Sequence, residues 1–495
     1  MKNMCIPIAK FMQKFTVFSL LSTLSPGEMK EFSRFIRSPL FNGRKEAAEY
    51  FLIVKKHYPD FGGKNFTAEY IYGKMYPGKH FQPQAVRRLN SYLLKLLKEY
   101  MSYKGLKNDS FYFDLSLSIQ LSERGLYKHS QRQLTYTDKK HSSSKSDYEF
   151  YFWKRYLIER QKNSLHSFAG NDHLASAAII ERTNMFANHT AVVACKSLIS
   201  LLINEKNFGT EFISEDFYAL TGKLDLDDYI KSLEAKGSIF YPVIAAEYYQ
   251  AMSLLNPGNN SFFGKFKAVI ESGLDMFSYI EKINFYTIFE AVCMLKIEKG
   301  EVKYSKDLFE AYRQMLQKGL CSYSPGGKFI LRIFRNIVHT AVLVKKTGWL
   351  EKFIDDYAPS LPDPSQNNMK NLAEAMLQFE KGNFGVSLKK LNSIDYDLFH
   401  FKIDLKNLQI RLYYELGYTE ELISAIDSYR HFIAASKYIS PRYKIMCSGF
   451  INNTSKLIKA KSSGSEDEAL WLKAKILKTN GALYRDWFIE KLAAL

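Results

Sequence analysis

The spacing of three glycines constrains what this chain can fold into more than any other feature of its sequence. Gly348, Gly382 and Gly417 lie 34 and 35 residues apart, and each follows an apolar stretch with helical periodicity. A period of roughly 20 to 50 residues indicates a repeat architecture, in which one supersecondary unit stacks on the next. Each glycine is expected to end the first helix of a unit, because glycine adopts positive φ at little cost.

Small side chains recur at two fixed offsets from glycines in this frame. Seven residues before Gly125, Gly300, Gly348 and Gly382 stand Ser118, Cys293, Ala341 and Ala375. Five residues after Gly125, Gly300 and Gly382 stand Ser130, Ser305 and Ser387. The distance between packed helices depends on the side chains at their contact, and small residues at both offsets allow a close approach. The pattern therefore predicts antiparallel helix pairs.

The clearest unit is the segment 371–387, NLAEAMLQFEKGNFGVS. Its small residue, turn glycine, aromatic residue and second small residue are Ala375, Gly382, Phe384 and Ser387. With these four residues the segment resembles the tetratricopeptide repeat. The resemblance is clearest over about 330–430 and looser over 106–330. It implies a right-handed superhelix of antiparallel helix pairs, an α-solenoid, with a concave groove that binds a peptide or a protein.

The same resemblance implies which residues face the groove. The first helix of the last clear unit would point Asn407, Arg411 and Tyr414 inward. Arg335 and Lys345 take similar places in the preceding frame. In this family, inward asparagines and basic residues grip the backbone or the carboxylates of a bound peptide. The alternative interpretation is that all five are ordinary exposed residues of helices.

The composition also favours a wholly helical chain. Its 495 residues include only 13 Pro and 26 Gly, and so few breakers over such a length favour long helices. Alternating β-branched runs between turn residues, which would indicate strands, are hard to find. We therefore predict an all-α fold, with a basic N-terminal helical unit at 1–105 and a helical-repeat region at 106–495.

The N-terminal unit is predicted to contain short helices followed by a long one. An apolar stretch at 15–24 follows three lysines, as in a secretory signal, but the residues after it favour a helix. Ser25, Pro26 and Glu28 suit the N-cap, the first position and the third position of a helix. Further helices are predicted from Lys45 to Lys56, from the capping residue Thr67 through Met75, and from Pro83 to Tyr103.

Positive charge is concentrated in this N-terminal part. The formal net charge of the chain is +18, and residues 1–150 carry 25 Lys and Arg against 13 Asp and Glu. Two thirds of the excess therefore lies in the first third of the chain. A basic region of this kind can attract nucleic acid or an acidic partner.

One face of the predicted long helix is basic, and the opposite face is rich in leucine. Arg87, Arg88, Lys95 and Lys98 fall within an arc of about 100° on a helix of about 3.6 residues per turn. The segment 66–98 resembles a winged-helix module of the kind fused to tetratricopeptide-like domains in some bacterial transcription activators. That resemblance implies a helix that enters the major groove of DNA. The alternative is a solvated basic face on a packed helix.

No pattern typical of a catalytic or cofactor site stands out. The nearest match to a phosphate-binding loop, from Gly258 to Lys265, has the wrong glycine spacing, and Phe266 replaces its hydroxyl residue. The five cysteines are far apart and the ten histidines are scattered, so neither a disulfide framework nor a metal site is predicted. No stretch of roughly 20 apolar residues, the length of a membrane span, is free of interruption. We expect a cytoplasmic protein without cofactor, metal or membrane span.

These patterns favour a non-catalytic interaction scaffold that binds a partner protein or peptide on a concave helical-repeat surface. Two alternatives remain open. The chain could be a nucleic-acid-binding transcriptional regulator, in which the basic N-terminal unit binds DNA and the repeats sense a partner. It could also be an enzyme of unrecognised type, whose site is assembled from distant helices.

Overall fold

A computed structural model of the chain describes residues 15–63, 65–141, 147–209, 214–272, 274–395, 399–437 and 439–495. Within these ranges the regular secondary structure is helical, and the only β-type pairing is an isolated bridge between Ser322 and Phe329. The all-α class predicted from the sequence is confirmed. The N-terminal Lys2, Lys10 and Lys14 lie outside the described residues.

The chain forms two compact units. One comprises Met1–Ser142 with Gln161–Ala175, and the other comprises Ser143–Arg160 with Ser176–Leu495. The first unit includes the whole of the predicted N-terminal region 1–105 and continues beyond it.

Seven helices belong wholly to the first unit. They are α1 (Thr16–Ser22), α2 (Pro26–Phe35), α3 (Lys45–Val54), α4 (Ala68–Met75), α5 (Pro83–Asn108), α6 (Phe111–Glu123) and α7 (Tyr127–His141). The predicted start of α2 is confirmed. The Ser25 side chain accepts a hydrogen bond from the Glu28 amide at 3.2 Å, and the Ser25 amide donates to the Glu28 carboxylate at 2.8 Å. These two bonds form a capping box, which satisfies two amides that a helix start leaves unpaired.

The core of the first unit is built from aromatic rings packed on the apolar face of α5. Phe18, Phe32 and Phe51 are at most 2% exposed, and α5 buries Leu93 and Leu97 against this core. Burial of each such side chain contributes about 2 kcal/mol to the stability of the fold. The amphipathic pattern of α5 therefore fixes its leucine face inward and leaves its basic face outward.

The remaining helices begin with two long ones that contribute to both units, α8 (Tyr148–Phe168) and α9 (Asp172–Phe208). The others are α10 (Glu215–Thr221), α11 (Leu226–Ala235), α12 (Tyr241–Leu255), α13 (Asn260–Glu271), α14 (Tyr279–Glu298), α15 (Tyr304–Gln317), α16 (Leu331–Leu343), α17 (Thr347–Tyr357), α18 (Gln366–Glu380), α19 (Phe384–Asn392), α20 (Phe399–Leu416), α21 (Thr419–Ala435), α22 (Pro441–Ser463), α23 (Glu466–Lys478) and α24 (Arg485–Ala493).

One type of turn recurs between consecutive helices. Its left-handed residue is Gly125, Gly170, Gly237, Gly300, Gly319, Lys345, Gly382 or Gly417. At each of these turns the amide of the following residue bonds to the carbonyl five residues before it, at 2.9 to 3.0 Å. This is the Schellman arrangement, which satisfies carbonyls that a helix end would otherwise leave unpaired. The same local geometry therefore ends helices at eight places in the described chain.

The small residues predicted at the two offsets meet as expected. Ser387 donates to the Ala375 carbonyl at 2.7 Å, and Ser130 donates to the Ser118 carbonyl at 2.6 Å. All four side chains are 0% exposed. A bulkier side chain at either offset would push the two helices apart, so these contacts fix the close approach of α6 to α7 and of α18 to α19.

The position predicted for one turn is wrong. Gly348 does not end a helix, because it is the second residue of α17. The left-handed residue of that turn is Lys345, whose φ is 56°. The 34-residue interval between Gly348 and Gly382 is therefore not the interval between equivalent turns, which is measured from Lys345.

Successive helix pairs of the second unit pack on each other. Besides their neighbours in sequence, α12 contacts α14, α16 contacts α18, and α18 contacts α20. Between α14 and α16, the Asn336 side chain donates to the Glu290 carboxylate at 2.6 Å. Helices two apart in sequence therefore contact each other at these places, and the second unit shares one continuous apolar core.

Candidate functional site

Three of the residues predicted to face a groove lie together on one face of α20. Asn407, Arg411 and Tyr414 are 1%, 4% and 8% exposed. The chain itself covers them, because residues of α21, α22 and the segment around α24 pack on this face. The structure thus brings these residues to a common face but buries them, so they are not open to solvent.

Arg411 lies at the centre of this face, between two aromatic rings. Its guanidinium carbon is 4.4 Å from the centre of the Phe379 ring and 3.9 Å from that of the Tyr484 ring. Its Nε finds no hydrogen-bond acceptor. Burial lowers the pKa of Arg411, since a charged guanidinium is poorly solvated there. The two rings stabilise the cation through their faces but do not neutralise its charge.

Arg335 of α16, whose side chain is 26% exposed, forms an ion pair with the buried Asp404 of α20. Arg335 Nη2 donates to Asp404 Oδ1 at 2.6 Å, and Arg335 Nε donates to the other carboxylate oxygen. Burial by itself would raise the pKa of Asp404, but the Arg335 guanidinium outweighs it and holds that pKa well below its usual range. A two-point pair of this kind fixes the orientation of both helices.

A histidine and two tyrosines complete this cluster. His339 Nε2 is 3.5 Å from Asp404 Oδ1, and burial together with Arg335 lowers the pKa of His339. Burial raises the pKa of Tyr443 and of Tyr484. We call the set the charged core, and its members are Arg335, His339, Asp404, Arg411, Tyr443 and Tyr484.

The other residues predicted to face a groove, Asn407, Tyr414 and Lys345, have different surroundings. The Asn407 carbonyl oxygen accepts a hydrogen bond from the Tyr429 hydroxyl at 3.0 Å. The Tyr414 ring is 5.3 Å from the Trp487 ring, edge to face. Lys345 is exposed on the turn between α16 and α17 and does not belong to the charged core. Of the five predicted residues, Arg335 and Arg411 therefore belong to the charged core. Asn407 and Tyr414 share the face of α20 with Arg411, and Lys345 lies on the exposed turn, where it acts electrostatically on Glu380 of α18, as Arg411 does.

Helix α24 is the part of the chain that covers the end of α20. The indole nitrogen of Trp487 donates to Glu415 Oε1 at 2.6 Å, and Lys491 Nζ lies 2.9 Å from the same oxygen. Phe488 is 0% exposed, beside Phe450 of α22 at a ring distance of 5.8 Å. Just before the helix, the Gly481 amide donates to the Glu298 carbonyl at 2.9 Å. An amphipathic helix thus occupies the surface next to the charged core.

The basic face predicted on the long N-terminal helix is present. Arg87, Arg88, Lys95 and Lys98 are all exposed on α5, and Lys95 lies 3.8 Å from the Glu99 carboxylate. A winged-helix module also has strands beside its recognition helix. Between residues 66 and 98 the structure contains only α4, α5 and the turn that joins them.

The features that bear on a metal or small-molecule site in the described part of the chain are its possible metal ligands and one cavity. There, no three His, Cys, Asp or Glu residues are arranged to hold a metal ion. A cavity of about 350 Å³ opens beside α12 and α13, with Tyr241, Tyr249 and Lys265 as polar groups in a largely apolar lining. Lys265 Nζ is 3.4 Å from the Tyr249 hydroxyl. The segment from Gly258 to Lys265 is the start of α13, which Asn259 caps.

One described helix is long and apolar enough to cross a membrane by length and composition. It is α9, with a mean hydropathy of 1.5 over its most apolar window, of which 33% is buried. Lys196 within α9 pairs with Asp147 at 2.5 Å. The core helices of water-soluble proteins meet the same criteria.

No protein-family model, curated protein or solved structure matches this chain.

Proposed function

We propose that this chain is a non-catalytic scaffold that binds a partner protein through its stacked helix pairs. In this proposal the pairs form a right-handed superhelix of the tetratricopeptide type. The observation that carries it is the recurrence of one turn geometry at eight places in the described chain, combined with contacts between helices two apart in sequence, α12 with α14, α16 with α18, and α18 with α20. Repeats that contact mainly their neighbours produce extended surfaces, and proteins of this type use such surfaces for binding.

The state of the reactive side chains supports binding rather than catalysis. Cys195, Cys293, Cys321 and Cys447 are buried free thiols, and burial raises the pKa of each. A thiol acts as a nucleophile in its ionised form, which a raised pKa suppresses. In the charged core, Asp404 is committed to Arg335. Reduced thiols also agree with the proposed cytoplasmic location.

The experiment that tests this function is affinity capture of the intact chain from its native host. Before elution the sample is treated with nuclease, and each protein recovered is used as bait in a reciprocal capture. The proposal expects one protein in stoichiometric amount that survives nuclease treatment and recovers this chain in return. The proposal fails if nothing is enriched over an unrelated helical protein of similar charge.

A second candidate function is nucleic-acid binding through the basic face of α5. The observation that favours it is the exposure of Arg87, Arg88, Lys95 and Lys98 on the side opposite the buried leucines. Phosphate contacts make affinity fall steeply with salt. If this face binds DNA, retardation of duplex DNA should weaken with salt, and Arg87→Glu with Arg88→Glu should reduce the salt slope by about two.

A matched control separates a specific face from net charge. Lys303→Glu with Lys306→Glu makes the same change of charge at exposed positions beside and within α15. The DNA-binding function predicts that this control retains its affinity. Equal losses in both double variants, or no retardation of the unaltered chain at low salt, would exclude α5 as a DNA-binding face.

A further inference from the structure

Helix α24 has little means of holding its own conformation. It has nine residues, and isolated helices shorter than about 12 to 15 residues are marginal in water. Its N-cap residue, Tyr484, has a φ of 55° and makes no side-chain capping bond. A bulky residue in this left-handed region is strained by about 1 to 2 kcal/mol. The helix is therefore maintained by its contacts with α20, α22 and α23.

Those contacts fill the surface with rings but leave the charge of Arg411 only partly compensated. Tyr484 stacks on Arg411, whose Nε has no acceptor. Of the carboxylates that act on Arg411, Asp404 is committed to Arg335 and Glu415 to groups of α24, and Glu380 of α18 does not accept a hydrogen bond from Nε. A buried cation without a hydrogen-bonded anion is costly. Tyr484 and α24, which now cover this surface, therefore fit its shape but supply no carboxylate to the Nε of Arg411.

A segment that matched both the shape of this surface and the charge of Arg411 would combine two chemical features. Aromatic or large apolar side chains would take the places of Trp487 and Phe488, which are 8% and 0% exposed. A carboxylate would take the place of Tyr484 beside Arg411 and would accept the hydrogen bond that Nε lacks. Charge-assisted bonds of this kind are roughly twice as strong as bonds between neutral groups, so such a segment would have an advantage over α24.

We propose that α24 is a displaceable internal ligand, and that the surface beneath it binds an aromatic and acidic helical segment of the partner protein. This inference rests on the proposed scaffold function and adds the chemistry of the partner and its regulation. With α24 in place the site is closed. The partner displaces α24 by supplying the same kind of rings together with a carboxylate beside Arg411, a position where the present segment has Tyr484.

The test uses the full chain and synthetic peptides as probes. One peptide has the sequence of residues 480–495, and a second carries Tyr484→Glu. Binding is followed by the fluorescence anisotropy of a labelled peptide, and the release of α24 by amide hydrogen exchange. The tethered helix competes at an effective concentration near the millimolar range, so the unaltered peptide should bind weakly. The acidic peptide should bind at least tenfold more tightly and should increase exchange in α24.

Two variants of the full chain separate the contribution of the Arg411 charge from that of the closure of the site by α24. Arg411→Met should remove the advantage of the acidic peptide, and it should fold, because apolar replacement of a buried charge is often neutral or stabilising. Trp487→Ala should loosen α24 and tighten binding of both peptides at least tenfold. Trp471→Ala is the matched control, since this indole is 55% exposed on α23, and it should change neither affinity.

Four results would overturn the inference. The peptides could bind equally well, or the acidic peptide could bind without a change in the exchange of α24. Alternatively, Trp487→Ala could form a dimer in light scattering, which would make the α24 of a second copy the occupant. If the partner captured from the native host bound wild type, Trp487→Ala and Arg411→Met equally, this inference would fail while the scaffold function stood. If the peptides behaved as expected but capture recovered no protein, the scaffold function would fail instead.

Discussion

The recurring turn leads to a prediction of opposite stability changes at two equivalent positions. Lys345 and Gly382 both hold the left-handed place, with φ values of 56° and 79°. A residue with a Cβ atom pays about 1 to 2 kcal/mol in this region. Glycine avoids that cost but loses roughly 0.5 to 1 kcal/mol more than other residues through the entropy of ordering. Lys345→Gly should therefore stabilise the fold by roughly 0.5 to 1 kcal/mol.

The opposite substitution should have the opposite effect. A Cβ atom added at Gly382 would meet no atom within 4 Å, so Gly382→Ala involves no clash. Its expected cost is conformational alone, a destabilisation of roughly 0.5 to 1 kcal/mol. Lys345→Ala is the control, because alanine keeps the Cβ atom and should change stability by less than about 0.5 kcal/mol.

A substitution at Gly348 distinguishes a turn whose left-handed residue is Lys345 from one whose left-handed residue is Gly348. Gly348 lies in the first turn of α17, and an added Cβ atom would also meet nothing within 4 Å. Because alanine is the better helix former, Gly348→Ala should be neutral or stabilise by up to about 1 kcal/mol. The assay is urea unfolding of the full chain, followed by far-ultraviolet circular dichroism. The assignment of the turn to Lys345 is refuted if Gly348→Ala destabilises and Lys345→Gly does not stabilise.

The remaining predictions concern buried ionisable groups. Asp404→Asn should destabilise the fold by up to about 3 kcal/mol in urea unfolding, because it leaves the partly buried Arg335 without its counter-charge. Asp427→Asn, in an exposed pair, should cost less than about 1 kcal/mol. Burial raises the pKa of Glu247 from 4.5 to about 8. The folded state then holds a proton that the unfolded state has lost between these values, so stability should fall as the pH rises through this interval, and Glu247→Gln should flatten the profile. Burial raises the pKa of the Cys321 thiol to about 12, so a thiol reagent should label it only as fast as the native chain opens, and rapid labelling without denaturant would contradict its burial.

Most of the N-terminal helix boundaries could be predicted from local signals along the chain. The helix predicted to follow the capping residue Thr67 and end at Met75 does so in the structure, and α5 begins at Pro83 as expected. The prediction that α5 ends at Tyr103 is wrong, because the helix ends at Asn108. A single glycine such as Gly105 lowers helix stability by only about 1 kcal/mol, and the helix continues through it.

The turns were predictable only where the residue type shows the backbone conformation. Gly125, Gly300, Gly382 and Gly417 all have positive φ, as their spacing predicted. Lys345 has the same conformation but carries no sequence signal for it, because lysine is rare there. The chance presence of Gly348 nearby therefore displaced the predicted turn.

The residues that share one face of α20 could be predicted, but the segments that pack over this face could not. The resemblance to the tetratricopeptide repeat placed Asn407, Arg411 and Tyr414 on the inward side of one helix, and in the structure these residues share a buried face of α20. Their partners lie far away in sequence, since Arg335 and Asp404 are 69 residues apart and Trp487 lies 72 residues from Glu415. One sequence has no local pattern that reports contacts at such separations, so the burial of Arg411 required the structure.

The most direct test of the scaffold function is amide hydrogen exchange of the intact chain with and without its captured partner. The account predicts that the partner slows exchange in α16, α18 and α20, the helices whose residues surround Arg411, and leaves α5 unchanged. Slower exchange confined to α5, or no partner-dependent change in these three helices, would contradict it.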